Sequence, residues 1–65
     1  MNWMVYDPDN NKWLRESDKD GYPSEWAFNK IGAKHYGDKE IVKVMTALKK
    51  FGFDRLEQVG FVKRG

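Results

Sequence analysis

The chain has 65 residues, no cysteine, and 12 basic against 10 acidic side chains, for a net charge of +2. That length holds one domain at most, with a modest core, and the lack of cysteine excludes disulfide staples and thiolate zinc sites. So small a charge excess, with acids beside basic residues as in Arg15-Glu16 and Lys19-Asp20, argues against a dedicated polyanion-binding surface.

Aromatic mass stands in for a staple. Trp3, Tyr6, Trp13, Tyr22, Trp26, Phe28, Tyr36, Phe51, Phe53 and Phe61 each bring a large apolar area to a small core. The opening MNWMVYDPD has no basic region ahead of an apolar run, so it does not read as a signal peptide. No apolar run approaches the length of a membrane span. The expectation is a soluble, cytoplasmic protein.

Residues 2–7 alternate as a strand does, with Trp3 and Val5 on one face and Met4 and Tyr6 on the other. Asp7-Pro8-Asp9-Asn10-Asn11 is turn chemistry: proline presets φ and asparagine tolerates the left-handed region. Lys12 to Arg15 reads as a second strand, closing an antiparallel hairpin. Both faces of the hairpin carry apolar residues, so alternation leaves the buried face open.

Residues 16–23 form a polar loop punctuated by glycine and proline. Residues 24–36 admit two readings, a helix capped by Ser24 or a short strand at 26–28. Gly32 and the alternation of Trp26 with Phe28 favour the strand, followed by a turn through Asn29 and Gly32 and an extended run over 33–36.

The stretch Ala33–Gly52 contains the strongest periodicity. Ile41, Val44, Met45, Leu48 and Phe51 recur at helical spacing, with Lys39, Lys43, Lys49 and Lys50 largely off that stripe. Asp38 is the expected N-cap, Glu40 and the late lysines suit the helix dipole, and Gly52 is the expected stop. Phe53 to Lys63 reads as a final strand. The uneven spacing of Leu56, Val59, Phe61 and Val62 predicts a bulge near Gly60. The expected fold is α+β: a small antiparallel sheet of three or four strands in β-β-(β)-α-β order. One helix packs on one face, and the last strand lies beside the first hairpin.

This outline resembles that of small phage and prophage accessory proteins. The resemblance rests on the strand and turn Trp3-Met4-Val5-Tyr6-Asp7-Pro8, on Trp26 after a loop, and on the step Ala33-Lys34-His35-Tyr36 before an acid-capped helix. Ile41 and Val42 depart from it, standing where such proteins often carry acids and alanine. It implies a compact protein that binds and inhibits or redirects a host factor, and it implies no active site.

Little in the chain points to catalysis. Asp7-x-Asp9-x-Asn11 has the opening spacing of a calcium loop, but Lys12 replaces the required glycine and the flanks read as strands, so turn chemistry accounts for it. His35 is a lone histidine without metal-ligand partners. Ser17 and Ser24 lie in no nucleophile setting. Asp18, Asp20, Glu25 and Glu40 read as solvating or capping groups. No metal or cofactor is expected.

Surplus aromatic surface remains. One helix covers one face of a sheet, so some of these rings must lie elsewhere, and exposed Trp and Tyr typify protein-binding hot spots. The leading expectation is a non-enzymatic protein-binding module contacting its partner through Trp3, Tyr6, Trp13, Arg15, Asp18, Tyr22 and Trp26. The alternative is a DNA- or RNA-binding regulator using Lys12, Arg15, Lys49, Lys50, Arg55, Lys63 and Arg64. A third expectation is self-association through an unpaired sheet edge.

Overall fold

The computed structural model describes residues 1–62. The chain forms β1 (Asn2–Asp7), β2 (Lys12–Ser17), β3 (Pro23–Ala27), a 3-10 turn (Lys30–Gly32), α1 (Asp38–Lys50) and β4 (Glu57–Phe61). The strands make one antiparallel sheet in the order β3-β2-β1-β4. This is the α+β layout expected from the sequence, with the last strand beside the first hairpin.

Turn chemistry sets the hairpin. The Asp7 carboxylate accepts from the backbone N–H groups of Asp9 and Asn10 and from the Asn10 amide. Asn11 takes the left-handed conformation at φ 52°. A second turn of the same kind joins β2 to β3, where Asp18 Oδ1 accepts from the N–H groups of Asp20 and Tyr22. Both aspartates are thus engaged in closing loops.

The β1–β2 ladder is short. Only Tyr6–Trp13 and Asp7–Lys12 pair directly. Beyond them the strands part, and the segment from Lys34 to Tyr36 enters the gap. Lys34 N–H donates to Leu14 C=O at 3.0 Å, while Trp3 and Tyr36 exchange both backbone bonds at 2.8 Å. The extended run expected at 33–36 is therefore an insertion into the sheet, and it aims the chain at the start of α1.

One layer of core lies between sheet and helix. Val5, Leu14, Tyr36, Ile41 and Leu48 are its buried centre, with Trp3, Trp26, Val44, Met45, Phe53 and Leu56 packed around them. Leu14, Val5 and Leu48 have no exposed surface. The helix ends as its lysines and Gly52 predict. Gly52 adopts φ 91°, Gly52 N–H donates to Lys49 C=O, and Phe53 N–H reaches back to Leu48 C=O. This paired closure also folds Phe53 onto the core.

Several boundaries differ from the sequence reading. Gly37, not Asp38, is the N-cap, with extended backbone at φ −76° and ψ 174°. Asp38 is the first helical residue, and its carboxylate turns away to the Trp3 indole N–H at 2.7 Å. Glu40 reaches back to the Gly37 N–H at 3.4 Å. The second strand runs to Ser17 rather than Arg15, and the third occupies Pro23–Ala27 rather than 26–28. Register shifts between β2 and β3 at Leu14/Glu16 and Glu16/Ser17 let polar residues continue the ladder, which hid these ends from alternation. The bulge expected near Gly60 is absent from the described residues. β4 pairs with β1 at constant offset from Asn2–Phe61 to Tyr6–Glu57. Leu56 breaks parity because it precedes the strand and joins the core from the loop. The expected end of the last strand, Lys63, lies outside the described residues.

Candidate interaction face

Alternation along β1 and β2 sends Trp3, Val5 and Leu14 toward α1, and Met4, Tyr6, Trp13 and Arg15 to the other side. The same rule places Val59 and Phe61 of β4 with the second group, through the pairs Met4–Val59 and Asn2–Phe61. Tyr36 shares the Trp3 side and is buried in the core, so its neighbour His35 faces the other way.

The face away from α1 is thus built from two aromatic pairs around an apolar middle. Tyr6 and Trp13 have ring centroids 4.6 Å apart. Tyr6 takes its backbone bonds from β4, so it faces Trp13 as a non-hydrogen-bonded pair, the arrangement that brings side chains closest. The Tyr6 hydroxyl is held by donating to Asn11 Oδ1 at 2.6 Å. His35 and Phe61 meet edge to face at 4.6 Å. Met4 and Val59 lie between, Met4 being only 7% exposed.

The expected protein-binding residues are spread over different parts of the fold. Tyr6 and Trp13 come together on the open face. Trp3 and Trp26 lie under the helix, packed against the core. Tyr22 packs edge-on against Phe51 and Phe53, closing the far end of the core. Asp18 closes the β2–β3 turn, and Arg15 pairs with Glu25 at 3.6 Å.

The basic residues of the alternative reading do not share one side. Lys12 sits over the Phe28 ring, its Nζ 5.7 Å from the centroid. Arg55 binds Asp9 at 2.9 Å. Lys49 and Lys50 are exposed in the last turn of α1, on the opposite layer from Arg15. Lys63 and Arg64 lie outside the described residues.

Sequence reasoning missed Met4, His35, Val59 and Phe61. The signal was present in part: Met4 shares parity with Tyr6, and His35 must oppose Tyr36 once that residue is known to be core. A separate cleft of about 390 Å³ lies between the β2–β3 turn and α1, bordered by Asp18, Lys34, Tyr36, Glu40 and Lys43. The Tyr36 hydroxyl and Ser17 Oγ are both buried there without a well-formed hydrogen bond. Burial raises the Tyr36 pKa, the nearby Ser17 hydroxyl opposes that shift, and the charges of Glu16 and Glu40 add to it.

Among the described residues, no group of three or more His, Asp or Glu is placed to hold a metal ion. No described helix is long and apolar enough to cross a membrane. No family model matches the chain, and no curated protein or solved structure matches it.

Proposed function

We propose that the protein is a non-enzymatic protein-binding module whose contact surface is the open face of the sheet. The observation that carries this reading is the placement of Tyr6–Trp13 and His35–Phe61 on the layer that α1 leaves uncovered. Rigid aromatic side chains bury large area on binding at little entropic cost, which is why Trp and Tyr dominate hot spots. The charges around them are of both signs, which suits a protein surface. A partner among host enzymes or defence proteins is what the resemblance to phage accessory proteins suggests.

Capture experiments with wild type, Trp13→Ala and Tyr22→Ala test the assignment. Trp13→Ala is expected to lose the captured partner while circular dichroism stays native. Tyr22→Ala, if folded, is expected to retain it. Identical captured proteins for wild type and Trp13→Ala would remove the open face from consideration. The same aromatic pairs also offer stacking surfaces for unpaired bases. A gel shift at about 50 mM salt, where charge-driven affinity is strongest, separates that second reading: retardation abolished by Trp13→Ala would favour nucleic acid.

A further inference from the structure

The two edges of the sheet are built differently. β3 begins at Pro23 and shifts register twice against β2, so its outer backbone groups are unevenly presented. β4 is regular over all its pairs with β1 and contains neither proline nor lysine. In the sequence the next cation is Lys63, beyond the strand.

The outward groups of β4 follow from the bonds of β1. Trp3 gives both its N–H and its C=O to Tyr36, away from β4. Its partner across the ladder, Gly60, is therefore half of a non-hydrogen-bonded pair, and so is Gln58 opposite Val5. The N–H and C=O of Gln58 and Gly60 point out of the sheet along the free edge. Both residues are exposed.

We propose that β4 pairs antiparallel with β4 of a second copy of this chain, about a two-fold axis at Val59. In that register Gln58 of each copy exchanges both backbone bonds with Gly60 of the other, an arrangement that satisfies itself by symmetry. Glu57 lies across from Phe61, so like charges are not opposed. Val59 meets its own counterpart on the open face. This is the register that engages every residue of Glu57–Phe61. It joins two sheets into one and brings two sets of open-face aromatics onto a single surface. The pairing stands independently of what that surface binds.

Light scattering and sedimentation of the purified chain across a concentration range test it. The mass is expected to rise from one chain toward two. Gln58→Pro removes an outward N–H while leaving the bonds to β1 intact, as proline is tolerated on an edge strand in that orientation. It is expected to stay monomeric with an unchanged circular dichroism spectrum. Val59→Lys sets two cations against each other at the axis and is expected to shift the equilibrium toward monomer. Amide exchange at Gln58 and Gly60 is expected to slow as concentration rises, which decides the matter if Gln58→Pro fails to fold. A wild-type mass fixed at one chain, a mass climbing past two, or a dimer retained by both variants would overturn the proposal.

Discussion

The indole N–H of Trp3 donates to the Asp38 carboxylate at 2.7 Å, tying the start of β1 to the first turn of α1. The amino group of Met1 lies 3.4 Å from the same carboxylate. The hydrogen bond from Trp3, and then the Met1 charge and its hydrogen bond, hold the Asp38 carboxyl below its ordinary pKa. A depressed folded-state pKa contributes stability above the unfolded carboxyl value of about 3.9 and loses it as pH falls through the folded one. Thermal melts between neutral and acid pH are expected to show a smaller acid-induced fall in Tm for Asp38→Asn than for wild type. Equal falls would show that this carboxylate is not linked to folding.

Gly60→Ala is expected to destabilise the fold. A Cβ there would lie 2.7 Å from Met1 Sδ and 2.8 Å from the Trp3 ring. Met1 can move aside, but Trp3 is anchored through Asp38. Overpacking of this kind costs about 1–3 kcal/mol. Urea unfolding monitored by tryptophan fluorescence reads both the loss and the displaced ring.

Leu48 has no exposed surface and sits at the centre of the core. Its truncation to alanine should cost roughly 2–5 kcal/mol. A domain of this size has a total stability of only about 3–5 kcal/mol, so Leu48→Ala is expected to be largely unfolded. Far-ultraviolet circular dichroism would show it. A native spectrum with less than about 1 kcal/mol lost in urea would mean that the site collapses around the gap.

Tyr22→Ala is expected to act on stability. The ring makes edge contacts with Phe51 at 5.1 Å and Phe53 at 5.6 Å. Such pairs contribute roughly 0.5–1.5 kcal/mol each, so a loss of about 1–3 kcal/mol in denaturant melts is anticipated. Phe51→Ala should remove part of the same coupling, which a double-mutant cycle would measure.

Tyr36→Phe should change stability near neutral pH by less than about 1 kcal/mol, because the hydroxyl it removes is buried without a well-formed partner. Its effect belongs at alkaline pH. A raised folded-state pKa gives stability that is complete below the unfolded value of about 10 and is lost as pH rises through the folded one. The phenylalanine variant is expected to lose less stability than wild type above that point, as read by urea midpoints at successive pH values.

Much of the architecture was legible because the relevant signals are local. The stripe Ile41–Val44–Met45–Leu48, the Asp7–Asn11 turn and the Gly52 stop each depend on residues within a few positions of one another. What sequence could not give depends on distant partners. Asp38 is an excellent cap by composition, yet Trp3 claims its carboxylate. Both faces of β1 carry apolar side chains, so only the position of α1 decides that Val5 is core and Tyr6 is not. Of the candidate site, Tyr6 and Trp13 were found because aromatic excess pointed to them. His35 escaped because its side is set by Tyr36 entering the sheet, and Phe61 because its side is set by its pairing with Asn2.

That entry bears on how the chain folds. Below Tyr6–Trp13, β1 finds its neighbour in a residue from the far side of β3, so the first hairpin cannot complete its own ladder. A fragment ending at Ser17 should therefore be unstructured by circular dichroism, since an isolated two-stranded hairpin is at best marginal in water. Closing the Trp3–Tyr36 link requires a long chain loop before any reward arrives, which favours all-or-none folding over stepwise accretion. The segment that wedges the sheet open is thus also the clasp that makes its strands, turn and helix rise and fall together.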